Sequence, residues 1–177
     1  MPKVSKEQTE QDEMKVMQEL EKNSRNSYEA FAKNCGCSRQ KIWRIIKKLE
    51  NTKTVWGYTA VIDKDKQGLK QYFILIKRTS KPAPKDKLDM IVSRELKQEA
   101  LKIGVNVVSS YYVHGSFNWH IGITASDIFK VKKFLNLFNQ MFAEDLISDI
   151  QILEVIFPVE RDGFINPNIK SIEDFFK

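Results

Sequence analysis

Apolar side chains in the first third of the chain recur with the period of an amphipathic helix. Residues 12–22 form one such segment, and residues 28–33 form a second, which Gly36 ends by supplying a left-handed exit turn. After Ser38, a good N-cap, apolar residues stand at i, i+3, i+4 and i+7: Ile42, Ile45, Ile46 and Leu49. The pattern predicts three helices, of which the third has the most complete apolar face.

The side of the predicted third helix opposite its apolar face is polar and basic. At about 100° per residue, Gln40, Arg44 and Lys47 lie on this side, with Trp43 along one border and two further lysines along the other. Two helices joined by a glycine-containing turn, the second with such a face, are typical of the helix-turn-helix that enters a DNA major groove. Residues 54–63 are aromatic and β-branched around a glycine, which predicts a two-stranded wing.

The positive charge of the chain is concentrated in this same segment. The net charge is +6, from 29 Lys and Arg against 23 Asp and Glu. Residues 33–53 contain seven basic residues and one acid, so this window carries the whole excess and the rest of the chain sums to zero. A neutral protein with one local basic segment has the electrostatic footprint of a nucleic-acid contact surface, although a solvated helix face is the alternative for such a segment.

After a polar linker at residues 64–70, the pattern changes from helical to alternating. The elements then follow in the order β-α-β-β-α-β, the ferredoxin-like split: strands at residues 72–78, 105–113, 119–125 and 147–157, and helices at residues 86–102 and 127–142. The predicted organisation is an N-terminal domain at residues 1–63, the linker, a second domain at residues 71–160 and a tail at residues 161–177. The fold class is α+β.

Few residues suggest metal or catalytic chemistry. Cys35 and Cys37 are too few for a disulfide framework or a four-ligand zinc site, so we expect small core residues. His114 and His120 bracket a predicted turn and could face each other as two metal ligands or a general base, but no third ligand is implied nearby. We therefore expect no metal, no cofactor and no catalytic residue.

The chain shows no sign of a membrane or secreted protein. No apolar run approaches the roughly 18–20 residues that a membrane span needs, and residues 1–12 are polar and charged where a signal peptide has an apolar centre. We expect a cytoplasmic protein without a membrane partner.

Two stretches carry a resemblance to a known family, CGCSRQKIWRIIKKLENTKTVWGYTAVID and YYVHGSFNWHIGITASD. They resemble the turn, recognition helix and wing, and the β2–β3 connection, of the Lrp/AsnC (feast/famine) family of prokaryotic transcription regulators. The resemblance implies a winged helix-turn-helix followed by a βαββαβ ferredoxin-like domain. It also implies double-stranded DNA as a partner, homodimers or higher oligomers formed through the sheets, and a small effector such as an amino acid bound between subunits.

The predicted DNA contacts lie on the third helix. Gln40 and Arg44 have side chains suited to adenine and guanine edges, and the lysines are suited to phosphate. Trp43 either stacks on a sugar or packs against the first helix, and helix capping alone explains the serine that precedes the third helix. The full set of predicted DNA-binding residues is Ser38, Arg39, Gln40, Lys41, Trp43, Arg44, Lys47 and Lys48.

The resemblance places a ligand cleft at residues 115–118, formed by Gly115, Ser116, Phe117 and Asn118. Asn118 stands where the family has an acid, and an amide is a weaker partner than a carboxylate for a ligand ammonium group. We therefore expect a ligand with less cationic character than an amino acid, or no ligand. A plain turn is the alternative, because Gly, Ser and Asn are all turn formers.

Together these features predict a sequence-specific DNA-binding transcription regulator and not an enzyme. The alternative is an enzyme similar to the sirohaem decarboxylases, which share this architecture and work on a tetrapyrrole with His and Arg side chains. The second domain is poor in these residue types, which favours the regulator: before the tail they are Arg78, Arg94, His114 and His120.

Overall fold

The computed structural model describes residues 6–177, apart from the side chains of residues 143–145. The first five residues of the predicted polar N-terminal stretch lie outside the described part of the chain. The chain divides into two compact units, one that ends at Val61 and includes Asp162–Phe164, and one formed by Ile62–Arg161 and Ile165–Lys177. Each unit has its own apolar core.

The N-terminal unit contains three helices, α1 (Lys6–Lys22), α2 (Tyr28–Cys35) and α3 (Arg39–Asn51), so the predicted helices are confirmed, although α1 begins earlier than expected. Ser27 and Ser38 are the N-caps of α2 and α3, and each hydroxyl accepts a backbone N–H three residues on, at 3.2 and 3.3 Å. Gly36 ends α2 with φ +65°, the left-handed conformation that the sequence predicted there.

The core of this unit lies between the apolar sides of the three helices. The predicted apolar face of α3 is buried with Val16 of α1 and with Phe31 and Cys35 of α2. Cys37 is partly buried against the same cluster, which confirms both cysteines as core residues. Burial raises the pKa of the Cys35 thiol, so this side chain stays protonated and apolar.

The predicted two-stranded wing is wrong. Residues 54–63 contain no strand: the N–H groups of Thr54 and Val55 donate to Leu49 O at 2.9 and 3.1 Å, and the chain then continues without regular structure. Trp56 in this segment is 95% exposed. The physical reason is that an isolated two-stranded hairpin is marginal in water, and this segment has no third strand to pair with.

The second unit is a sheet with helices in the order β1 (Lys70–Arg78), α4 (Lys85–Val92), α5 (Glu95–Lys102), β2 (Asn106–Tyr112), β3 (Trp119–Ala125), α6 (Ile128–Leu146) and β4 (Ile147–Glu154). The four strands lie in the order β2-β3-β1-β4, and every neighbouring pair is antiparallel. This order confirms the predicted βαββαβ ferredoxin-like domain and the α+β class. In the register of β1 with β3, Ile74 lies opposite Ile121.

Several bounds differ from the prediction: β1 begins at Lys70 instead of residue 72, and α6 continues to Leu146 instead of residue 142. The single helix expected over residues 86–102 is broken between α4 and α5, where Arg94 adopts φ +60° and the Ser93 hydroxyl donates to Met90 O at 3.1 Å. A serine that hydrogen-bonds to the nearby backbone competes with helix continuation. The last strand ends at Glu154 instead of residue 157, and Val155 N–H makes the last bond, to Gln71 O at 2.9 Å.

A cluster of aromatic rings fills the core of the second unit. Phe134 and Phe138 are fully buried, and Phe142 follows one turn later on α6. The ring of Trp119 lies 5.4 Å from Phe138 and 5.6 Å from Phe142. The Trp119 indole N–H donates to Ser110 Oγ at 2.8 Å, which satisfies its one polar group.

The tail adds two short strands, β5 (Glu160–Arg161) and β6 (Phe164–Ile165), and a 3-10 stretch at Ile169–Phe175. The Phe175 ring lies 5.6 Å from Phe157. Over residues 6–177, no helix is both long enough and apolar enough to cross a bilayer.

Candidate functional site

Helix α3 turns its apolar side into the N-terminal core and leaves its polar side exposed. All the predicted DNA-contacting residues except Lys41 are exposed at this surface: Ser38, Arg39, Gln40, Trp43, Arg44, Lys47 and Lys48. Gln40 and Arg44 are one turn apart and therefore neighbours on the same face. Helical periodicity alone was enough to predict the exposure of Gln40, Arg44 and Lys47.

Lys41 is partly exposed and is paired with an acid that the sequence did not indicate as its partner. Its ammonium donates to Asp12 on α1, and the Asp12 carboxylate also accepts from Gln8 Nε2 at 3.2 Å. Asp12 is 3% exposed. The hydrogen bond from Lys41 lowers the pKa of Asp12, and the same bond raises the pKa of Lys41. Lys41 would have to leave a buried carboxylate to contact phosphate.

Three other cations near the face are themselves largely exposed and pair with acids that range from exposed Glu29 to mostly buried Glu13. Arg39 Nε lies 3.1 Å from Glu29, Lys47 Nζ lies 2.8 Å from Glu50, and Lys48 pairs with Glu13 on α1. The Lys47 ammonium, with help from the Tyr58 hydroxyl at 3.2 Å, lowers the pKa of Glu50. Such exposed pairs contribute little stability, so their cations can exchange an acid for phosphate at small cost.

Gln40 and Arg44 keep their polar groups available. Within residues 6–177, neither side chain takes part in an ion pair or a hydrogen bond, and Trp43 beside them is half exposed. These are the two residues that the sequence predicts to read base edges. The place of Asp12 four residues before buried Val16, on the core stripe of α1, indicates that this acid is buried but not that Lys41 is its partner.

The predicted ligand turn follows β2 and is mostly exposed at Gly115 and Ser116 and partly buried at Phe117 and Asn118. Gly115 has φ +148°, a conformation that favours glycine. Asn118 Oδ1 accepts from the Arg78 backbone N–H at 3.0 Å, and Asn118 N–H donates to Ile76 O at 2.9 Å. The Asn118 side-chain oxygen is therefore engaged in joining the turn to the end of β1.

A cavity of about 410 Å³ lies beside this turn, between the ends of β1 and β2. Of the four predicted ligand residues only Asn118 lines it, together with Arg78, Thr79, Ser80, Lys81, Tyr112, Val113 and His114. The Arg78 guanidinium donates to the Tyr112 hydroxyl and to Lys81 O at 3.3 Å, and its carbon lies 5.7 Å from the centre of the Tyr112 ring.

The two histidines have separate surroundings. His120 lies opposite Tyr111 in the β2–β3 register, with its ring 6.1 Å from Tyr111 and 4.9 Å from Phe73. His114 lines the cavity instead. Among the side chains that the structure describes, which exclude those of residues 143–145, no group of three or more His, Cys, Asp or Glu is placed to hold a metal ion.

Comparison with known proteins gives a clear answer on fold. No protein-family model and no curated protein sequence matches the chain. Solved structures do match: a feast or famine regulatory protein from Mycobacterium tuberculosis complexed with L-methionine has a TM-score of 0.65 at 18% identity, and the match covers 85% of this chain and 94% of that one.

Two further solved structures are similar to this chain in fold. An AsnC family transcriptional regulator from Agrobacterium tumefaciens has a TM-score of 0.59 at 21% identity, over 85% of this chain and 92% of that one. LrpC of Bacillus subtilis has a TM-score of 0.59 at 15% identity, over 90% of this chain and 99% of that one. The predicted resemblance to Lrp/AsnC regulators is confirmed at the level of the fold.

Proposed function

We propose that the protein is a sequence-specific DNA-binding transcription regulator of the Lrp/AsnC type that acts in the cytoplasm and is not an enzyme. The observation that carries the proposal is the exposed face of α3, on which Gln40 and Arg44 remain unpaired while the cations around them are paired with acids. A helix-turn-helix places such a face in the major groove. Two similar solved structures support the proposal, because one is an AsnC family transcriptional regulator and the other is a feast or famine regulatory protein.

The proposed contacts divide into two kinds. Arg44 and Gln40 read guanine and adenine edges, and Arg39, Lys47 and Lys48 contact phosphate after leaving their surface acids. Ser38 already accepts the Lys41 N–H as a cap and can donate its hydroxyl proton to phosphate. Lys41 contributes by holding α3 against α1 through Asp12.

We propose a homodimer or higher oligomer formed through the sheet. The inward side chains of β1 and β3 pack against the helices, and the alternate residues face outward: Phe73, Leu75, Tyr111, His120 and Leu153. A second copy would cover this apolar face and present two recognition helices to a pseudo-palindromic site. Sedimentation is expected to give a dimer or larger species at micromolar concentration, and a monomer would contradict this part of the proposal.

The DNA-binding experiment uses DNA selected by the protein from a random pool, with affinity measured by fluorescence anisotropy at several salt concentrations. Arg44→Ala is expected to cost about 1–3 kcal/mol of binding and to relax the selected consensus at one position per half-site. Lys48→Ala is the matched control: it is expected to weaken all sequences alike and to lower the salt slope by about one. An equal loss of specificity in both variants would show that α3 is not oriented as proposed.

The alternative function, an enzyme similar to the sirohaem decarboxylases, can be tested by absorbance spectroscopy. A decarboxylase similar to the sirohaem enzymes would bind sirohaem and change its Soret absorbance, whereas the proposed regulator leaves this spectrum unchanged. Titration of the protein with sirohaem, alongside the anisotropy experiment, therefore separates the two functions. A spectral change together with no salt-dependent DNA binding would replace the regulator by the enzyme.

A further inference from the structure

The exposed side of α6 combines an aromatic ring with two cations, and these three residues are the α6 face. Phe129, Lys132 and Lys133 stand at i, i+3 and i+4, so their side chains are neighbours on the helix. Phe129 is 71% exposed, both lysines are exposed, and no ion pair of the described side chains includes either lysine. The acids of α6, Glu144 and Asp145, begin about 16 Å further along the helix axis, beyond the reach of an ion pair.

The tail presents the complementary combination of an acid and an aromatic ring. Glu173 and Phe176 are three residues apart at the end of the 3-10 stretch, a spacing that puts two side chains on the same side of a 3-10 helix. Phe176 N–H donates to Glu173 O at 3.2 Å, and Phe176 is 84% exposed. Glu173 is exposed and is in no ion pair of the described side chains, and Asp174 beside it pairs only with exposed Lys177, at 3.1 Å.

The two surfaces match in spacing as well as in charge. Three or four residues of an α-helix span about 4.5–6 Å, and three residues of a 3-10 helix span about 6 Å. When the two segments lie antiparallel, Phe176 reaches Phe129. Glu173 then lies beside Lys132 and Lys133, and both exposed rings leave water. Among the described residues, no ion pair or ring contact joins the two surfaces within one chain.

The α6 face stays uncovered when two copies associate through their sheets. Helix α6 packs against the inward side chains of the sheet, such as Ile74 and Ile121, whereas the proposed dimer uses the outward side chains. Each copy in such a dimer therefore keeps a second surface free. A contact between the tail of one copy and the α6 face of another is reciprocal across a two-fold axis, so it forms twice in each pair of copies.

We propose that the tail of one copy binds the α6 face of a second copy and joins sheet dimers into a larger assembly. Glu173 pairs with Lys132 and Lys133, and the Phe176 ring packs on the Phe129 ring of the second copy. An acidic aromatic segment suits this face better than DNA, since phosphate offers the exposed ring no partner. The size of the assembly rests on the proposed sheet dimer, but the tail contact itself does not.

The test is sedimentation of the whole chain in two variants with reversed charges. One variant carries Glu173→Lys with Asp174→Lys, and the other carries Lys132→Glu with Lys133→Glu. Each variant alone brings like charges together at both reciprocal contacts, so it should associate beyond the dimer at least about tenfold more weakly than the wild type. In an equal mixture, the basic tail of one variant meets the acidic α6 face of the other. Association should then return to within about threefold of the wild type.

Two control variants separate the contact from net charge. Lys66→Glu with Lys85→Glu reverses two exposed charges elsewhere in the second unit and should associate like the wild type. Phe176→Ala keeps every charge, so it should weaken association at least about threefold without changing its dependence on salt. All substituted side chains are exposed, and circular dichroism checks the fold of each variant. Because association stabilises the folded chain by mass action, unfolding of Phe129 variants is measured below the concentrations at which the chain associates.

Several results would overturn the proposal: a wild type that stops at a dimer which both reversed variants keep, reversed variants that associate like the wild type, or a mixture that associates no better than its components. A loss of DNA affinity alone in the Lys132 and Lys133 variant would assign the α6 face to DNA instead. A dimeric wild type with monomeric reversed variants would keep the tail contact and contradict the sheet dimer.

The proposed regulator is tested separately on the same proteins, by anisotropy with selected DNA, because none of these substitutions lies on α3. If every variant binds this DNA while the mixture does not recover association, the tail contact fails and the regulator stands. If neither the wild type nor any variant binds DNA, the regulator fails whatever the assembly.

Discussion

The two units differ in how many of their basic side chains form ion pairs. In the N-terminal unit, basic residues of α3 pair with acids of α1 and α2, as in Lys41 with Asp12 and Lys48 with Glu13. In the second unit, the ion pairs of the described residues include neither Arg78 nor Lys81, which line the cavity at the ends of β1 and β2. The charge of the α3 segment therefore overstates the number of cations that it can offer to phosphate. The number of cations available to phosphate depends on which of them the fold already pairs with acids.

The units also differ in how their interiors are held. The N-terminal core is small, and a buried carboxylate, Asp12, borders it with its partner Lys41. The second core is larger and centres on the packed rings of Trp119, Phe138 and Phe142, which contact one another in tilted and edge-on orientations. We expect the first unit to respond to pH and to the loss of one ion pair, and the second to respond to the loss of aromatic volume.

The largest expected effect tests the aromatic core. Phe138→Ala removes a fully buried ring that contacts Trp119, Phe134 and Phe142, and should lower the free energy of unfolding of the second unit by about 3–5 kcal/mol. Urea unfolding followed by circular dichroism measures this. Phe129→Ala on the same helix is the control, because Phe129 is 71% exposed and its loss should cost less than about 0.5 kcal/mol. Similar costs for both variants would contradict the core described here.

A smaller effect tests the ion pair. Asp12→Asn should lower the free energy of unfolding of the N-terminal unit by about 2 kcal/mol, since it removes a charged hydrogen bond to Lys41. The cost stays below that of a fully buried pair, because the Lys41 side chain is 36% exposed and can turn to water. Glu13→Gln, which breaks the more exposed pair with Lys48, is the control and should cost less than about 1 kcal/mol.

The same pair predicts a pH dependence. The pKa of Asp12 is lowered from 3.8 in the folded chain, so its contribution is complete above that unfolded value and is lost as the pH falls through the folded pKa. The pKa of Lys41 is raised from 10.5, so its contribution is complete below that value and is lost as the pH rises through the folded pKa. Hydrogen exchange of α1 and α3 in acid measures the first loss, and Asp12→Asn should abolish it.

The smallest expected effect tests whether Gly36 is needed for its backbone conformation. A cost from a positive φ is distinguished from a cost from steric crowding by two glycine substitutions in the N-terminal unit. Gly36→Ala should cost about 1 kcal/mol, since residue 36 needs φ +65° and a Cβ there meets nothing within 4 Å. Gly57→Ala is the matched control, because its Cβ is equally free and its φ lies outside the left-handed region. Thermal unfolding should leave the control within about 0.5 kcal/mol of the wild type. Equal costs would mean that the turn between α2 and α3 does not depend on its glycine.

The sequence by itself determined the elements that local rules govern. The periodicity of residues 28–33 with Gly36 predicted α2, and the cap Ser38 with the i, i+3, i+4, i+7 spacing from Ile42 predicted α3, because capping and helical periodicity act within a few residues. The alternation of β1 and β3, and the order of elements in the second unit, predicted the ferredoxin-like sheet in the same way.

Only the tertiary structure decided how side chains distant in sequence are paired. Lys41 and Asp12 are 29 residues apart, and Asn118 lies 40 residues from the backbone N–H that it accepts, so no local pattern indicates either contact. The wing failed as a prediction for the same reason, because a strand forms only where a partner strand supplies its hydrogen bonds, and residues 54–63 have the composition of a hairpin without that partner. Propensity acts along the chain, whereas ion pairs, cavities and sheet edges depend on which segments the fold brings together.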